Sequence, residues 1–177
     1  NAQQASPEMQ SATLALVAEE VAELGVVFEK LLQIAEVESG ASRKRFSPID
    51  LQALLVDVVD FYEPLVEDSG GSFTLDVQAG VQVLGDGDLI ASAVANLVDN
   101  AIKYGALIDS STPVDVDLTA KSAQEDGAET AWGFEITVRD HGPGADAQTL
   151  EKMSTRFYRA ESDRQGYGLG LASVLAI

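Results

Sequence analysis

The chain has no cysteine and a single histidine, His141, and its cations are few. Without cysteine there is neither a disulfide scaffold nor a Cys-held zinc, which fits a reducing compartment or simple indifference to redox conditions. One imidazole also argues against a histidine-based metal site. Aromatic residues make up only 6%, with Trp132 the sole tryptophan, so the core should be aliphatic. Eleven Lys and Arg stand against 29 Asp and Glu, a formal net charge of −18. So acidic a chain argues against nucleic acid and anionic membranes as partners. No apolar run reaches the ~18–20 residues that would cross a bilayer, and no signal peptide is seen.

What is present allows one domain of ordinary size with a short appendage: 177 residues, 46% of them hydrophobic. An anionic ligand would need local help from Mg²⁺, backbone N–H groups or clustered cations. Arg156, Arg159 and Arg164 do cluster beside a glycine-rich run. Spacing alone leaves chance clustering on a loop equally open.

The pattern over 11–38 is helical. Leu14, Val17, Val21, Leu24, Phe28, Leu31 and Ala35 form a heptad seam. Leu16, Val26, Val27, Leu32, Ile34 and Val37 widen the stripe, so the helix should have more than one neighbour, as in a four-helix bundle; a core helix of the globular domain is the other reading. Gly40 should stop it, and Arg43-Lys44-Arg45 reads as a solvated linker. Ser47-Pro48-Ile49-Asp50 reads as the entrance to a second helix over 50–68, capped by Asp50 or Ser47. Strands are expected at 72–77, 81–84, 114–120 and 132–139, the last two as a long hairpin. A third helix should run from Asp86 to Tyr104, a short one over 146–153, and a last one from about Gly168.

Three elements carry chemistry. On the third helix Asn96, Asn100 and Lys103 share one face at spacings of four and three. Carboxamide oxygens can ligate Mg²⁺, and a Lys beside them can meet a phosphate; a plain exposed polar face would look the same. Asp140-His141-Gly142-Pro143-Gly144 follows a strand. A strand-end carboxylate can accept from a nucleobase amino group, with glycines allowing close backbone approach, although the same residues make a good turn. Gly166-Tyr167-Gly168-Leu169-Gly170-Leu171 leads into a helix whose first N–H groups could meet phosphate. It is neither the dinucleotide fingerprint nor a P-loop, and a glycine-rich helix start without a ligand would look the same.

In order, these elements resemble the ATP-binding domain of sensor histidine kinases. That domain belongs to the GHKL superfamily, shared with gyrase, MutL and heat-shock chaperone ATPases. NLVDNAIKY (96–104) resembles the N box, DHGPG (140–144) the G1 box, RFYR (156–159) the F box and GYGLGLA (166–172) the G2 box. AEVESG (35–40) followed by FSPIDL resembles the end of the second helix of a dimerisation and phosphotransfer domain. The implied fold is α/β: a two-layer sandwich of a mixed β-sheet with three helices, preceded by a long helix. The implied domains are 1–45, dimerisation helix and linker without the helix bearing the phospho-accepting histidine, and 46–177, an ATP-binding kinase domain. The family continues into two more strands, so a sheet ending at Ile177 is expected to be truncated, with an exposed edge.

The resemblance also implies roles. Asn100 would ligate Mg²⁺ with Asn96 assisting. Lys103 would contact phosphate, Tyr104 would pack near adenine, and Asp140 would hold the adenine amino group. Gly142 and Gly144 would shape the adenine pocket; Gly166, Gly168, Gly170 and Leu171 would wrap the triphosphate. Arg159 and Arg164 would be lid cations, Arg164 facing the γ-phosphate. Residues 145–167 would form the lid, anchored by Phe157 in an apolar pocket. His141 is a poor phospho-acceptor. The implied activity is transfer of the ATP γ-phosphoryl group to a histidine outside this chain, in a two-component phosphorelay. The implied partners are ATP, the helix carrying that histidine, a response regulator and a second copy through 11–38. The location would be cytoplasmic, on a parent compatible with an inner-membrane anchor. Two alternatives stay open: another GHKL ATPase or a Ser/Thr (anti-sigma-factor) kinase, and a non-catalytic dimerisation module.

Overall fold

A computed structural model describes residues 7–105, 114–123, 133–153, 155, 157–158 and 167–177. The long first helix, α1, spans Pro7–Glu38. It stops at Gly40, which takes a left-handed φ of 73°, as a glycine after a helix does at low cost. A 3-10 turn over Ala41–Arg45 leads to the first strand, β1, at Ser47–Asp50.

The sequence did not suggest this strand. Ser47-Pro48-Ile49 leads into the second helix as expected, but it also pairs antiparallel with β3 (Gln82–Gly85), Ser47 opposite Gly85 and Asp50 opposite Gln82. Pro48 lacks an N–H and is tolerated because this is a short two-stranded ribbon with open edges. The second helix, α2 (Leu51–Asp68), then begins under its expected cap, the Asp50 carboxylate accepting from the Ala53 N–H at 3.2 Å.

Strand β2 (Phe73–Val77) runs parallel to β4 (Val116–Ala123), and β4 pairs antiparallel with β5 (Gly133–Asp140). The three make the expected mixed sheet, in the order β2-β4-β5. Its two faces follow the period-2 alternation. Val116, Leu118 and Ala120 are buried towards the helices, while Thr119 is exposed on the other side.

Helix α3 (Gly87–Gly105) lies on that buried face beside α2. Leu51, Leu55, Val58, Val59 and Tyr62 from α2 meet Val94 and Val98 from α3 and Leu118 from the sheet. Each fully buried Leu or Val contributes ~1.5–3 kcal/mol by leaving water, and this aliphatic core fixes how α3 sits on the sheet. A short helix, α4, spans Ala147–Met153, and the last, α5, spans Gly170–Ala176. Helix α5 packs on α3, and α1 packs on α5. No helix among the described residues is long and apolar enough to cross a membrane.

Candidate functional site

The site is organised by α3. Its start is fixed by Asp86, whose Oδ1 accepts from the Asp88 and Leu89 N–H groups at 3.1 and 3.4 Å. The other oxygen of this buried carboxylate accepts from Arg45 Nε at 2.6 Å, and Arg45 also lies 3.5 Å from Glu36 of α1. The Asp86 and Glu36 carboxylates raise the Arg45 guanidinium above its ordinary pKa. The linker arginine is therefore a bracket between α1 and the cap of α3, not a solvated connection.

Along α3, Asn96, Asn100 and Lys103 occupy successive turns of one face. Asn96 is only 7% exposed. Its amide Nδ2 donates to the Ser92 carbonyl at 2.9 Å, and its Oδ1 accepts from Lys30 of α1 at 3.3 Å. Asn100 is half-buried and Lys103 exposed, the latter 4.0 Å from Asp99. The start of α5 crosses this face so closely that a Cβ on Gly170 would lie 3.3 Å from Asn96 Oδ1.

At the far end of α3, Tyr104 and Gly105 meet the end of β5. The Asp140 carboxylate accepts from the Gly142 N–H at 2.9 Å. A Cβ on Gly142 would fall 2.8 Å from Gly105 Cα and 2.9 Å from the Tyr104 carbonyl, so only glycine fits. The glycine-rich turn before α5 meets the segment after α4: Phe157 N–H donates to the Gly168 carbonyl at 2.8 Å. Both residues have left-handed φ, 65° and 68°. Leu169 is buried, and Gly170 and Leu171 open α5.

The structure thus brings Asn96 and Gly170 together at the middle of α3, and Tyr104, Asp140 and Gly142 together at its end. Gly144 lies two residues past Gly142 with a left-handed φ of 72° and open space around it. Arg156, Arg159, Arg164 and Gly166 lie outside the described residues. Phe157 corrects its expectation. The residue is 60% exposed rather than seated in an apolar pocket, in a turn where its φ is left-handed. Two cavities among the described residues lie beside this face. One of about 1060 Å³ lies between the end of α1, β3, β5, the flank of α3 around Val94 and Leu97 and the end of α5 at Val174 and Ile177; another of about 680 Å³ lies between α2 and α3.

His141 sits on the opposite, open face of the sheet. Its Nε2 is 2.9 Å from Asp117 Oδ2, and Asp117 also accepts from the Thr74 hydroxyl. The Thr74 bond first, and His141 second, hold the Asp117 carboxyl below its ordinary pKa.

A divalent metal would depend on the oxygen donors of α3. No cluster of three or more His, Cys, Asp or Glu able to hold one occurs among the described residues. What α3 offers is carboxamide oxygen. That suits Mg²⁺, which keeps most of its waters and takes few protein ligands beside substrate phosphates. Asn100 fits such a role; the Asn96 oxygen is engaged by the Lys30 ammonium.

Sequence reasoning missed Lys30, Glu23 and Arg45. The Tyr167 phenol is hydrogen-bonded to Glu23, and partial burial together with that carboxylate raises its pKa. Arg45 carried a weak signal, a cation immediately after a helix stop. Lys30 and Glu23 carried none, being ordinary charges on a long helix.

A helix bearing stacked amides, crossed by a glycine-led helix start and closed by a strand-end carboxylate, defines a nucleotide-binding class of two-layer α/β domain. The chain belongs to the histidine kinase-, DNA gyrase B- and HSP90-like ATPase family, whose family model matches residues 85–177. It is 29% identical over 149 residues to the sensor-like histidine kinase SenX3 of Mycolicibacterium smegmatis, covering 82% of this chain and 36% of that protein. It is 32% identical over 149 residues to the phosphate regulon sensor protein PhoR of Pseudomonas aeruginosa, covering 81% and 31%. Among solved structures, full-length ShkA in complex with AMPPNP superposes with a TM-score of 0.69 at 25% identity, over 98% of this chain and 34% of that one. The chain spans about a third of the length of these curated relatives.

Proposed function

We propose that residues 46–177 bind Mg-ATP across α3 and that the whole protein transfers the γ-phosphoryl group to a histidine carried outside this chain. The observation that carries this reading is the line along α3: Asn96 beneath Gly170 at one end, Asp140 and Gly142 against Tyr104–Gly105 at the other. A base would sit at the Asp140 end and phosphates at the Gly170 end. Asp140 keeps one oxygen for an amino group, since the other accepts from Gly142. Lys103 contributes a positive charge, and Gly166, Gly168, Gly170 and Leu171 supply backbone N–H groups to the triphosphate. Arg159 and Arg164 are the lid cations of this reading. Magnesium, when bound at Asn100, with Asn96 nearby, would neutralise phosphate charge. The chain's own contribution is positioning and charge, which is where phosphoryl transfer gains most of its rate.

Residues 1–45 would be the dimerisation helix and linker. Leu14 (70% exposed), Val21, Leu24 and Phe28 support this, forming an apolar stripe open to a second copy. A response regulator would take the phosphoryl group onward, and the work would be done on the cytoplasmic side, where ATP is held.

Calorimetry with a non-hydrolysable ATP analogue and Mg²⁺ tests the reading. Saturable binding should appear, weakened about 10–100-fold in Asn100→Ala and Asp140→Ala, as for loss of one hydrogen bond to a charged group. Absence of binding at millimolar nucleotide would leave the non-catalytic module as the better description.

A further inference from the structure

Helix α1 has two faces. The first part of the heptad seam, Leu14, Val21, Leu24 and Phe28, is open, but Ile34 is 2% exposed and Val27, Lys30, Val37 and the seam's Leu31 are partly covered. This second face is the one turned to α5. Two polar contacts hold it to the candidate site. Lys30 Nζ donates to Asn96 Oδ1 at 3.3 Å, and Glu23 is hydrogen-bonded to Tyr167 in the glycine-rich turn. Glu23 and Lys30 are seven residues apart, so both project from the same side of the helix. Neither contact is needed to form the core, which lies between α2, α3 and the sheet.

We propose that docked α1 competes with the metal-nucleotide for the α3 face. The Lys30 ammonium takes one of the two lone pairs of a carboxamide oxygen and places a positive charge where a divalent cation would approach. Glu23 fixes Tyr167, between Gly166 and Gly168, in the turn that would have to wrap phosphate. Binding of Mg-nucleotide and docking of α1 therefore oppose one another, and the coupling is equal in both directions. The inference rests on the proposed nucleotide site, and adds an intramolecular antagonist to it.

The test uses the whole chain. AMP-PNP is titrated into wild type, Lys30→Met and Lys30→Arg, with Mg²⁺ and again in EDTA. Met keeps the aliphatic stem that packs against the domain, and thermal melts confirm folding. Lys30→Met should tighten Mg-AMP-PNP binding about tenfold, within the usual range of such couplings. It should give no gain in EDTA, and Lys30→Arg should stay near wild type. Because the chain lacks cysteine, spin labels placed by Glu20→Cys and Thr137→Cys can follow α1; their separation should grow when Mg-AMP-PNP saturates the site. Unchanged or weaker Mg-nucleotide binding in Lys30→Met, with wild type binding normally, overturns the competition alone and would make Lys30 a phosphate contact or a bystander. Absence of binding in every variant overturns the nucleotide site itself and this proposal with it.

Discussion

The Asp140 carboxylate folds back over the end of β5 to accept the Gly142 N–H at 2.9 Å, and so pins the turn against the last residues of α3. This contact joins the sheet to the amide-bearing helix where a base would lie. Gly142→Ala should break it. The new methyl would press on the Gly105 Cα and the Tyr104 carbonyl, which are backbone and cannot swing away. Overpacking of that kind costs about 1–3 kcal/mol. Chemical denaturation should show that loss, and nucleotide binding should fall with it.

Tyr62 links α2 to α3 through its hydrogen bond to Asp99, and burial first, then the Asp99 charge, pushes its phenol up to about 12. The neutral phenol is the favoured form in the fold. Its contribution is present in full below the ordinary phenol pKa of roughly 10 and is lost as pH rises towards the folded value. Melting temperature should therefore drop between about pH 10 and 12. Tyr62→Phe should remove this component of the alkaline loss and cost about 1 kcal/mol at neutral pH.

On the open face of the sheet the sign is reversed. The Asp117 pKa is depressed by Thr74 and His141. Its stabilisation is present above the ordinary carboxylate pKa of about 4 and disappears as pH falls through the lower folded value. Asp117→Asn should lower stability at neutral pH and flatten the acid limb of a pH–stability curve. If His141 were the phospho-acceptor, this substitution would also alter phosphorylation; no phosphohistidine is expected on the isolated chain, in wild type or variant, by mass spectrometry.

Asp86→Ala removes the α3 cap and leaves Arg45 with Glu36 alone. Loss of the cap alone costs about 1 kcal/mol. Hydrogen exchange should rise first at the Asp88 and Leu89 amides, which Asp86 now holds; unchanged protection there would show that the cap matters little.

Much of this architecture was legible in the residues. Helix α3 announced itself by an opening Asp86 and amides at a spacing of four, both local signals. The β4–β5 hairpin followed from alternation. Strand β1 did not, because Ser-Pro-Ile-Asp is good helix-entrance chemistry and its pairing with Gln82–Gly85 is a distant event that no local pattern encodes. The breadth of the apolar stripe on α1 suggested several neighbours, and Ile34 on one side with Phe28 open on the other accounts for it. Which face docks, and that Lys30 reaches Asn96 there, depends on the placement of α5, which the periodicity of α1 does not carry.

The central claim is best met by amide chemical-shift mapping of the isotope-labelled chain titrated with Mg-AMP-PNP. Shifts concentrated at Asn100, Lys103, Asp140, Gly142, Gly168 and Gly170, saturating together with one affinity, are the expected result. Shifts confined to the α2–α3 groove around Phe61, or none along α3, would place the ligand elsewhere and contradict the account.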